Sequence, residues 1–352
     1  AVPSYPPAEE LTDYMAERVK LFATAQYGPV SGNAKLKTAL ANHMVGVYGG
    51  SIQSNNVLIS AGCNQAYCLA TMALAEAGDE IILPVPYYFN HQMWLEVLGI
   101  KAVHLGCNMS QGGLPEIDEA RRLIGKKTKA IVLVTPNNPT GATYPPDLLQ
   151  GFFKLCQKHG IKLIIDETYK DFLTEQPPHQ LFEISDWEET LIQVYSFSKC
   201  FSLTGYRVGS VIAGENVIES ATKIMDSVAI CAPRIAQDAA LYGLEHLTSW
   251  VAEKRNMLKK RRELFNKLFR VNNLGFKIIS SGAYFAYVQH QYDNKNAYQV
   301  AQNLLDKENI LSLPGTFFGP NQERFLRFAY ANITRKEITD VIDRLNVSFN
   351  KP

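Results

Sequence analysis

The sequence predicts an α/β protein with one large domain and a smaller α+β domain. Between residues 57 and 214, short β-branched apolar segments alternate with amphipathic segments. This alternating pattern ends by about residue 235, where a long charged helical segment begins. The chain's 352 residues also exceed what one compact core usually needs. We therefore expect a mostly parallel, seven-stranded sheet sandwiched by helices in the large domain, because parallel strands are buried on both faces.

Seven segments have the apolar character of buried strands. They are Val57–Ser60, Glu80–Leu83, Ala102–Leu105, Ala130–Thr135, Ile161–Asp166, Leu191–Phe197 and Val208–Ala213. The intervening segments Cys63–Ala77 and Pro146–His159 place apolar residues at helical spacing. In a sheet of this kind, ligands are expected at the carboxyl ends of the strands.

The predicted large domain spans residues 24–245, and the predicted small domain combines residues 1–23 with 246–352. A long charged helical stretch, about Ile235–Leu268, leads into the second part. Residues 1–23 are assigned to the small domain because they predict an isolated helix ahead of the sheet.

Composition argues against several classes of protein. The net charge is +1, and the densest basic run, residues 259–262, predicts a solvated helix face, so nucleic-acid binding is not expected. No apolar run approaches the ~18 residues of a membrane span. The amino-terminal residues do not resemble a signal peptide, and the six cysteines are scattered without metal-ligand spacing. Reduced thiols, a cytoplasmic location and no metal site are expected.

Two motifs at strand ends contain candidate anion and ring ligands. In "LISAGCNQAYCLA", Gly62 precedes a helix whose first N–H groups, on Cys63 and Asn64, are suited to a phosphate; the alternative is a simple strand-to-helix turn. In "VLVTPNNPTGATY", Asn138 follows a buried strand, and the alternative is a tight turn.

Two further motifs place ionisable groups at the ends of apolar strands. In "KLIIDETYKDF", Asp166 needs a cationic partner or a strong hydrogen-bond donor at that position. The alternative is that Asp166 only caps the next helix. Tyr169 follows three residues later, so its hydroxyl can reach the same site. In "YSFSKCFSLTGYRVG", Lys199 is either a surface side chain or an amine that attacks a carbonyl. Ser196, Ser198 and Arg207 are suited to an anion.

Together these groups match one ligand, pyridoxal 5′-phosphate. The helix start, the serines and Arg207 suit its phosphate, and Asp166 suits its ring nitrogen. Asn138 and Tyr169 suit the phenolic oxygen, and Lys199 suits the aldehyde.

The motifs "NNPTG", "DETY" and "SFSKCFSLTGYRVG" resemble, in order and spacing, those of the fold-type I, class I/II pyridoxal-phosphate-dependent aminotransferases. The resemblance covers nearly the whole chain and implies an aspartate-aminotransferase-like fold. It implies transamination between an L-amino acid and a 2-oxo acid, with ping-pong kinetics and a Schiff base to Lys199. A carbon–sulfur β-lyase on the same fold is the alternative, and a catalytically silent sensing domain is a third.

The resemblance also implies roles that the residues alone do not suggest. Tyr88 would stack on the pyridine face, and Arg327 would bind the substrate carboxylate, with Asn138 beside it. Tyr27 would reach the phosphate of a neighbouring subunit, which implies a homodimer with shared active sites. The donor amino acid and the roles of Cys200, Phe201 and Arg234 stay open.

Overall fold

Short apolar segments pair into two β-sheets. Within residues 2–173, 179–271 and 274–349, which the computed structural model describes, twelve strands are present. The strands are β1 (Val57–Ser60), β2 (Glu80–Val85), β3 (Lys101–Asn108), β4 (Leu114–Pro115), β5 (Thr128–Val134), β6 (Lys162–Asp166), β7 (Leu191–Ser196), β8 (Gly209–Ile212), β9 (Phe276–Gly282), β10 (Phe285–His290), β11 (Leu313–Pro314) and β12 (Phe325–Phe328).

Helices connect and cover these strands. They are α1 (Glu9–Arg18), α2 (Ala34–Tyr48), α3 (Cys63–Leu74), α4 (Phe89–Val97), α5 (Ile117–Leu123), α6 (Pro146–His159), α7 (Phe197–Cys200), α8 (Glu215–Ala229), α9 (Arg234–His246), α10 (Thr248–Val271), α11 (Ala297–Glu308) and α12 (Arg335–Phe349). None of these helices, among the residues described, is long and apolar enough to cross a membrane.

The larger sheet has eight strands in the order β1-β8-β7-β6-β5-β2-β3-β4. The five central strands from β7 to β3 are parallel, whereas β1, β8 and β4 pair antiparallel. The mostly parallel α/β architecture is therefore confirmed, and all seven predicted strands are present. The additional strand β4 has only two residues, which is too short to produce a period-two pattern in the sequence.

The smaller sheet is antiparallel, in the order β11-β12-β10-β9. Helices α10 and α12 pack together, and α10 lies against β9. Side chains from these elements form a second hydrophobic cluster, separate from the one around the larger sheet. The two clusters agree with two domains, although their exact limits stay a prediction.

Helix α1 differs from the domain prediction. Its buried side chains, Leu11 and Met15, lie one turn apart and pack in the cluster of the larger sheet, and α1 rests on α9. Residues before it bond to the second unit, where Arg261 donates to Ser4 Oγ at 2.7 Å. The apolar face of α1 therefore places it with the large domain.

Two glycines let the domains touch through backbone alone. A Cβ on Gly141, where φ is +73°, would overlap Gly282 N, and a Cβ on Gly282 would overlap Gly141 O. Next to this contact, Ser280 Oγ donates to the Thr140 carbonyl at 2.8 Å. The loop after β5 is thus held directly against the smaller sheet.

The variant Gly141→Ala should lower the free energy of unfolding by about 1–3 kcal/mol, because it combines a strained φ with backbone overlap. Urea unfolding measures this change. The control is Gly46→Ala, at an exposed position in the last turn of α2, where a Cβ meets no atom within 4 Å. That change should stabilise the protein by about 0.5–1 kcal/mol. Equal midpoints for both variants and the parent would contradict the contact.

Candidate active site

The carboxyl ends of β5, β6 and β7 open onto one cavity of ≈ 250 Å³. Eleven residues that the sequence predicted line it: Cys63, Asn64, Tyr88, Asn138, Asp166, Tyr169, Ser196, Ser198, Lys199, Arg207 and Arg327. They come from both domains, since Arg327 lies on β12 of the smaller sheet. The predicted convergence of the four motifs is therefore present in the structure.

One corner of the cavity gathers anion-binding groups. Gly62, with φ +89°, precedes α3, so the first N–H groups of that helix have no partner within the helix. A Cβ on Gly62 would overlap Arg207 Nη2, and one on Gly209 would lie 2.7 Å from Cys63 N. Arg207 Nη1 lies 3.5 Å from Ser198 Oγ. Glycine is thus required here to bring backbone donors and the guanidinium together.

Lys199 is carried by the single turn α7, directly after β7. Ser196 caps this turn, with its Oγ accepting from Ser198 N at 3.1 Å. Burial first, and then the charges of Arg207 and Arg327, lower the pKa of Lys199 to about 8. At pH 7 about one amine in ten is therefore neutral, compared with about one in a few thousand for an ordinary lysine.

Asp166 is buried at the end of β6 but stays ionised. Burial alone would raise the pKa of its carboxyl, but His91 and Thr168 hold that pKa below its ordinary value. His91 Nε2 lies 3.4 Å from Asp166 Oδ2, and Thr168 N donates to Oδ1 at 3.0 Å. This pairing supplies the partner that a buried carboxylate needs.

Two phenols border the same space. Burial is the main reason that the pKa of Tyr88 is raised to about 12 and that of Tyr169 is raised further. Both therefore stay protonated and can donate hydrogen bonds. Asn90 Nδ2 lies 3.0 Å from the Tyr88 hydroxyl oxygen and fixes its position.

Arg327 extends from the small domain across the cavity. Its Nη1 donates to Asn138 Oδ1 at 2.9 Å, which leaves the amide nitrogen of Asn138 as the donor towards a ligand. Its guanidinium lies between the rings of Phe285 and Phe318, at 4.8 and 5.0 Å. Arg327 Nε is buried and has no hydrogen-bond partner in this structure. An anionic ligand is the chemistry that would satisfy it.

The sequence reasoning missed several residues at this site. His91 was not predicted, although it lies three residues after Tyr88 and so falls on the same face of α4. Its ring stacks on Tyr67 at 4.0 Å, which fixes it beside Asp166. Phe89, Val134, Thr168 and Thr204 also line the cavity. Their chemistry is common, and only the fold distinguishes them.

Two predicted site residues stand apart from the cavity lining. Gly62 is the N-cap residue of α3, directly before the helix. Tyr27 does not line the cavity of its own chain, and 76% of its surface is exposed. Cys200, the last residue of α7, and Phe201, which follows it, are both buried.

The donor set fits pyridoxal 5′-phosphate. The helix start, two serines and Arg207 suit a phosphate, and an ionised, buried Asp166 suits a protonated ring nitrogen. The amine of Lys199, with its lowered pKa, suits an aldehyde. No cluster of three or more His, Cys, Asp or Glu side chains suited to a metal is found in the described part of the chain.

Comparison with known proteins identifies the family. The profile described as "Aminotransferase class I and II" matches residues 5–345. The chain is 30% identical to the aspartate aminotransferase of Pyrococcus horikoshii over 91% of this chain and 82% of that protein. It is 27% identical to an aromatic aminotransferase of Arabidopsis thaliana, over 91% and 81% of the two chains. The structure matches a Thermus thermophilus aspartate aminotransferase variant with TM-score 0.92 and 26% identity, over 99% of this chain and 94% of that one.

The fold and the cavity thus define a fold-type I pyridoxal-phosphate enzyme. The chain belongs to the class I and II aminotransferases. It is an aminotransferase that depends on pyridoxal phosphate, and its reaction is transamination. Nothing in these relatives favours the carbon–sulfur lyase alternative.

Replacing His91 by Phe should raise the pKa of the Asp166 carboxyl, because it removes the group that lies 3.4 Å away while keeping a ring against Tyr67. Carboxyl ¹³C NMR of the cofactor-free protein measures that pKa directly. The control Gln92→Ala removes a half-buried side chain of α4 that bonds to Glu96 and His104, and it should leave the Asp166 pKa unchanged. An unaltered Asp166 pKa in His91→Phe would show that His91 does not stabilise the charge.

Proposed function

We propose that the residues around this cavity divide the work of transamination between an L-amino acid and a 2-oxo acid. The supporting observation is the charge of the lining. Lys199, Arg207 and Arg327 face the cavity, and Asp166 is the one carboxylate among the described lining residues. Such a surface suits a phosphate and a substrate carboxylate bound side by side.

The phosphate end is assigned to the first N–H groups of α3, to Ser196 and Ser198, and to Arg207. The helix dipole and the fixed guanidinium charge both favour an anion at that corner. These groups would hold the phosphate of the cofactor in the cavity that Lys199 also lines. Pyridoxal phosphate supplies an electron-withdrawing ring that accepts the electrons of the substrate Cα–H bond.

Lys199 is the proposed acid and base. Its Nζ accepts the α-proton when neutral and returns it from the ammonium form, so an amine with a pKa near 8 can do both at neutral pH. Asp166 stays ionised through His91 and Thr168, so its carboxylate would stabilise a protonated ring nitrogen of the cofactor. Tyr169 and the Asn138 amide would donate to the phenolic oxygen of the cofactor, and Tyr88 would pack against its ring.

Arg327 is the proposed binder of the substrate α-carboxylate. Its Nη1 is fixed by Asn138, and its aromatic neighbours exclude water from one side of the guanidinium. A bidentate pair to a carboxylate forms most strongly under such dry conditions. Because Arg327 and Asn138 belong to different domains, substrate binding depends on their contact.

We also propose a homodimer whose active sites are shared. The exposed Tyr27 lies in a segment that presents further apolar side chains, including Val19 and Phe22, 77% exposed. Gly28 N approaches Cys231 Sγ at 3.4 Å, so this segment adjoins the exposed Val228 and Ile230. An apolar surface of this kind suits a protein partner. Tyr27 of one subunit would then reach the phosphate corner of the other.

A cytoplasmic role in amino-acid metabolism or biosynthesis completes the proposal. The six cysteines are all free in the structure, which agrees with a reducing compartment. Residues 24–245 are proposed as the cofactor-binding domain, with α1 packed on it, and residues 246–352 as the domain that brings Arg327 to the substrate.

Lys199→Ala should lower the rate of the first half-reaction by about 10³-fold or more, since proton transfer and covalent catalysis both lose their amine. The measurement is the stoichiometric formation of a 2-oxo acid from an amino acid without any acceptor. Lys199→Arg is the matched control, because it keeps a positive charge without a readily neutralised amine. If either variant retained the parent rate, the central assignment would be wrong.

Hybrid dimers test the shared site. Tyr27→Ala and Lys199→Ala should each be impaired as homodimers. In a purified hybrid of the two, one site combines the intact Lys199 with the intact Tyr27 from the other chain. We expect that hybrid to have about half the activity of the parent dimer, since sites of a symmetric dimer are equivalent. A hybrid no more active than the Tyr27→Ala homodimer would place Tyr27 outside its partner's site.

A further inference from the structure

A group of buried polar side chains lies directly behind the turn that carries Lys199. It consists of Lys170, Asp171, Tyr195 and Cys200, which we call the rear cluster. Its members line or adjoin a small cavity of ≈ 60 Å³ that is separate from the active-site cavity. The proposed reaction does not use them.

Hydrogen bonding within the rear cluster has a defined direction. The Tyr195 hydroxyl lies 2.7 Å from Asp171 Oδ2 and 3.2 Å from Cys200 Sγ. It has one proton, which goes to the carboxylate because that acceptor is charged and closer. Burial, followed by the Asp171 charge, raises the pKa of the Cys200 thiol, so the sulfur keeps its proton. The single thiol proton thus has two acceptors in reach, the tyrosine oxygen at 3.2 Å and the Phe197 carbonyl at 3.6 Å.

The charge of Asp171 is balanced within the rear cluster and by adjoining helices. Lys170 Nζ lies 2.9 Å from Asp171 Oδ1 and 4.7 Å from the centre of the Tyr195 ring. Burial opposes ionisation of Asp171, but Lys170 and Tyr195 hold its pKa below the ordinary value. His43 on α2 accepts from Lys170 Nζ at 3.1 Å, since burial and the lysine charge lower the pKa of His43 to about 4. Arg255 on α10 donates to the Asp171 carbonyl.

The turn α7 needs such support because it is only four residues long. Ser196 caps its start. At its end, Phe201 N bonds back to the Phe197 carbonyl at 3.3 Å, and Gly243 leaves room for the Phe201 ring, since a Cβ there would lie 2.6 Å from that ring. Cys200 is the side chain that connects this end of the turn to the rear cluster. Cys200 and Phe201, the two residues that follow Lys199, thus both border the small cavity and hold the end of the turn.

We propose that Tyr195 is a positioning residue for Lys199, acting through Cys200 and anchored by the Asp171–Lys170 pair. This inference rests on the proposed role of Lys199. The rear cluster keeps α7 in the one orientation that presents the amine to the active-site cavity, between Arg207 and Arg327. Loosening the turn would let Lys199 reach water and lose its proximity to those charges.

Tyr195→Phe tests the proposal, because it keeps the ring that packs edge-on against Phe197 at 5.1 Å and removes the hydroxyl. In the cofactor-free protein, the pH dependence of Lys199 acetylation, followed by peptide mass spectrometry, reports the pKa of that amine. We expect the pKa of Lys199 to rise by about one unit in Tyr195→Phe, towards the value of a solvated lysine. In the complete enzyme, kcat should fall about 10-fold while KM stays within about 2-fold, because Arg327 and Asn138 are not affected.

Tyr330→Phe is the matched control. It removes another buried hydroxyl, which donates to the Ala283 carbonyl at 3.0 Å within the small domain. It should change stability alone, with the Lys199 pKa and kcat unaltered. A second pair of variants checks the connection itself: Cys200→Ser keeps a donor and should behave like the parent, whereas Cys200→Ala should resemble Tyr195→Phe.

The outcomes separate the two proposals. A parent-like Lys199 pKa and kcat in Tyr195→Phe, or equal effects of Cys200→Ser and Cys200→Ala, would overturn the positioning role. If Tyr195→Phe does not fold, the Cys200 pair decides the question alone. Retained activity in Lys199→Ala would instead contradict the proposed function, whatever the Tyr195 variant does.

Discussion

The excess of positive charge in one buried cavity is the constraint on which the site depends. Lys199, Arg207 and Arg327 repel one another, and that repulsion, added to burial, lowers the proton affinity of the lysine. A guanidinium cannot lose its proton at physiological pH, so the lysine is the group whose pKa falls and which loses its proton. Anions relieve the repulsion when they bind. The mutual repulsion of these cations therefore favours the binding of anionic ligands in the cavity.

Several elements of the fold are needed to hold these charges in place. The parallel strands bring Asp166 and the turn α7 to one edge of the large sheet, and the small domain contributes Arg327. At Gly141 and Gly282 the backbones of the two domains are in direct contact. Asn138 lies in the same loop as Gly141 and bonds to Arg327, so one loop carries both the domain contact and part of the ligand site.

Much of the fold was predictable because its signals are local. Runs of β-branched residues predict the strands. An ionisable side chain such as Asp166 or Lys199 at the end of a buried strand is costly, so it indicates a functional site. Long-range contacts leave no local signal. The pairing of His91 with Asp166 joins α4 to β6. Arg327 was found through its resemblance to a family, since its sequence surroundings are those of an ordinary strand. Helix α1 was assigned to the wrong cluster because its apolar face does not reveal which core it covers.

Cys63 and Arg327, far apart in the sequence, line the same cavity. A partly folded chain cannot present that set of groups together, so only the complete native state binds the cofactor well. By mass action, every increment of free cofactor above its dissociation constant then adds to the free energy of unfolding. Because proteases act mainly on unfolded chains, the concentration of free cofactor should then also set how long each molecule resists proteolysis.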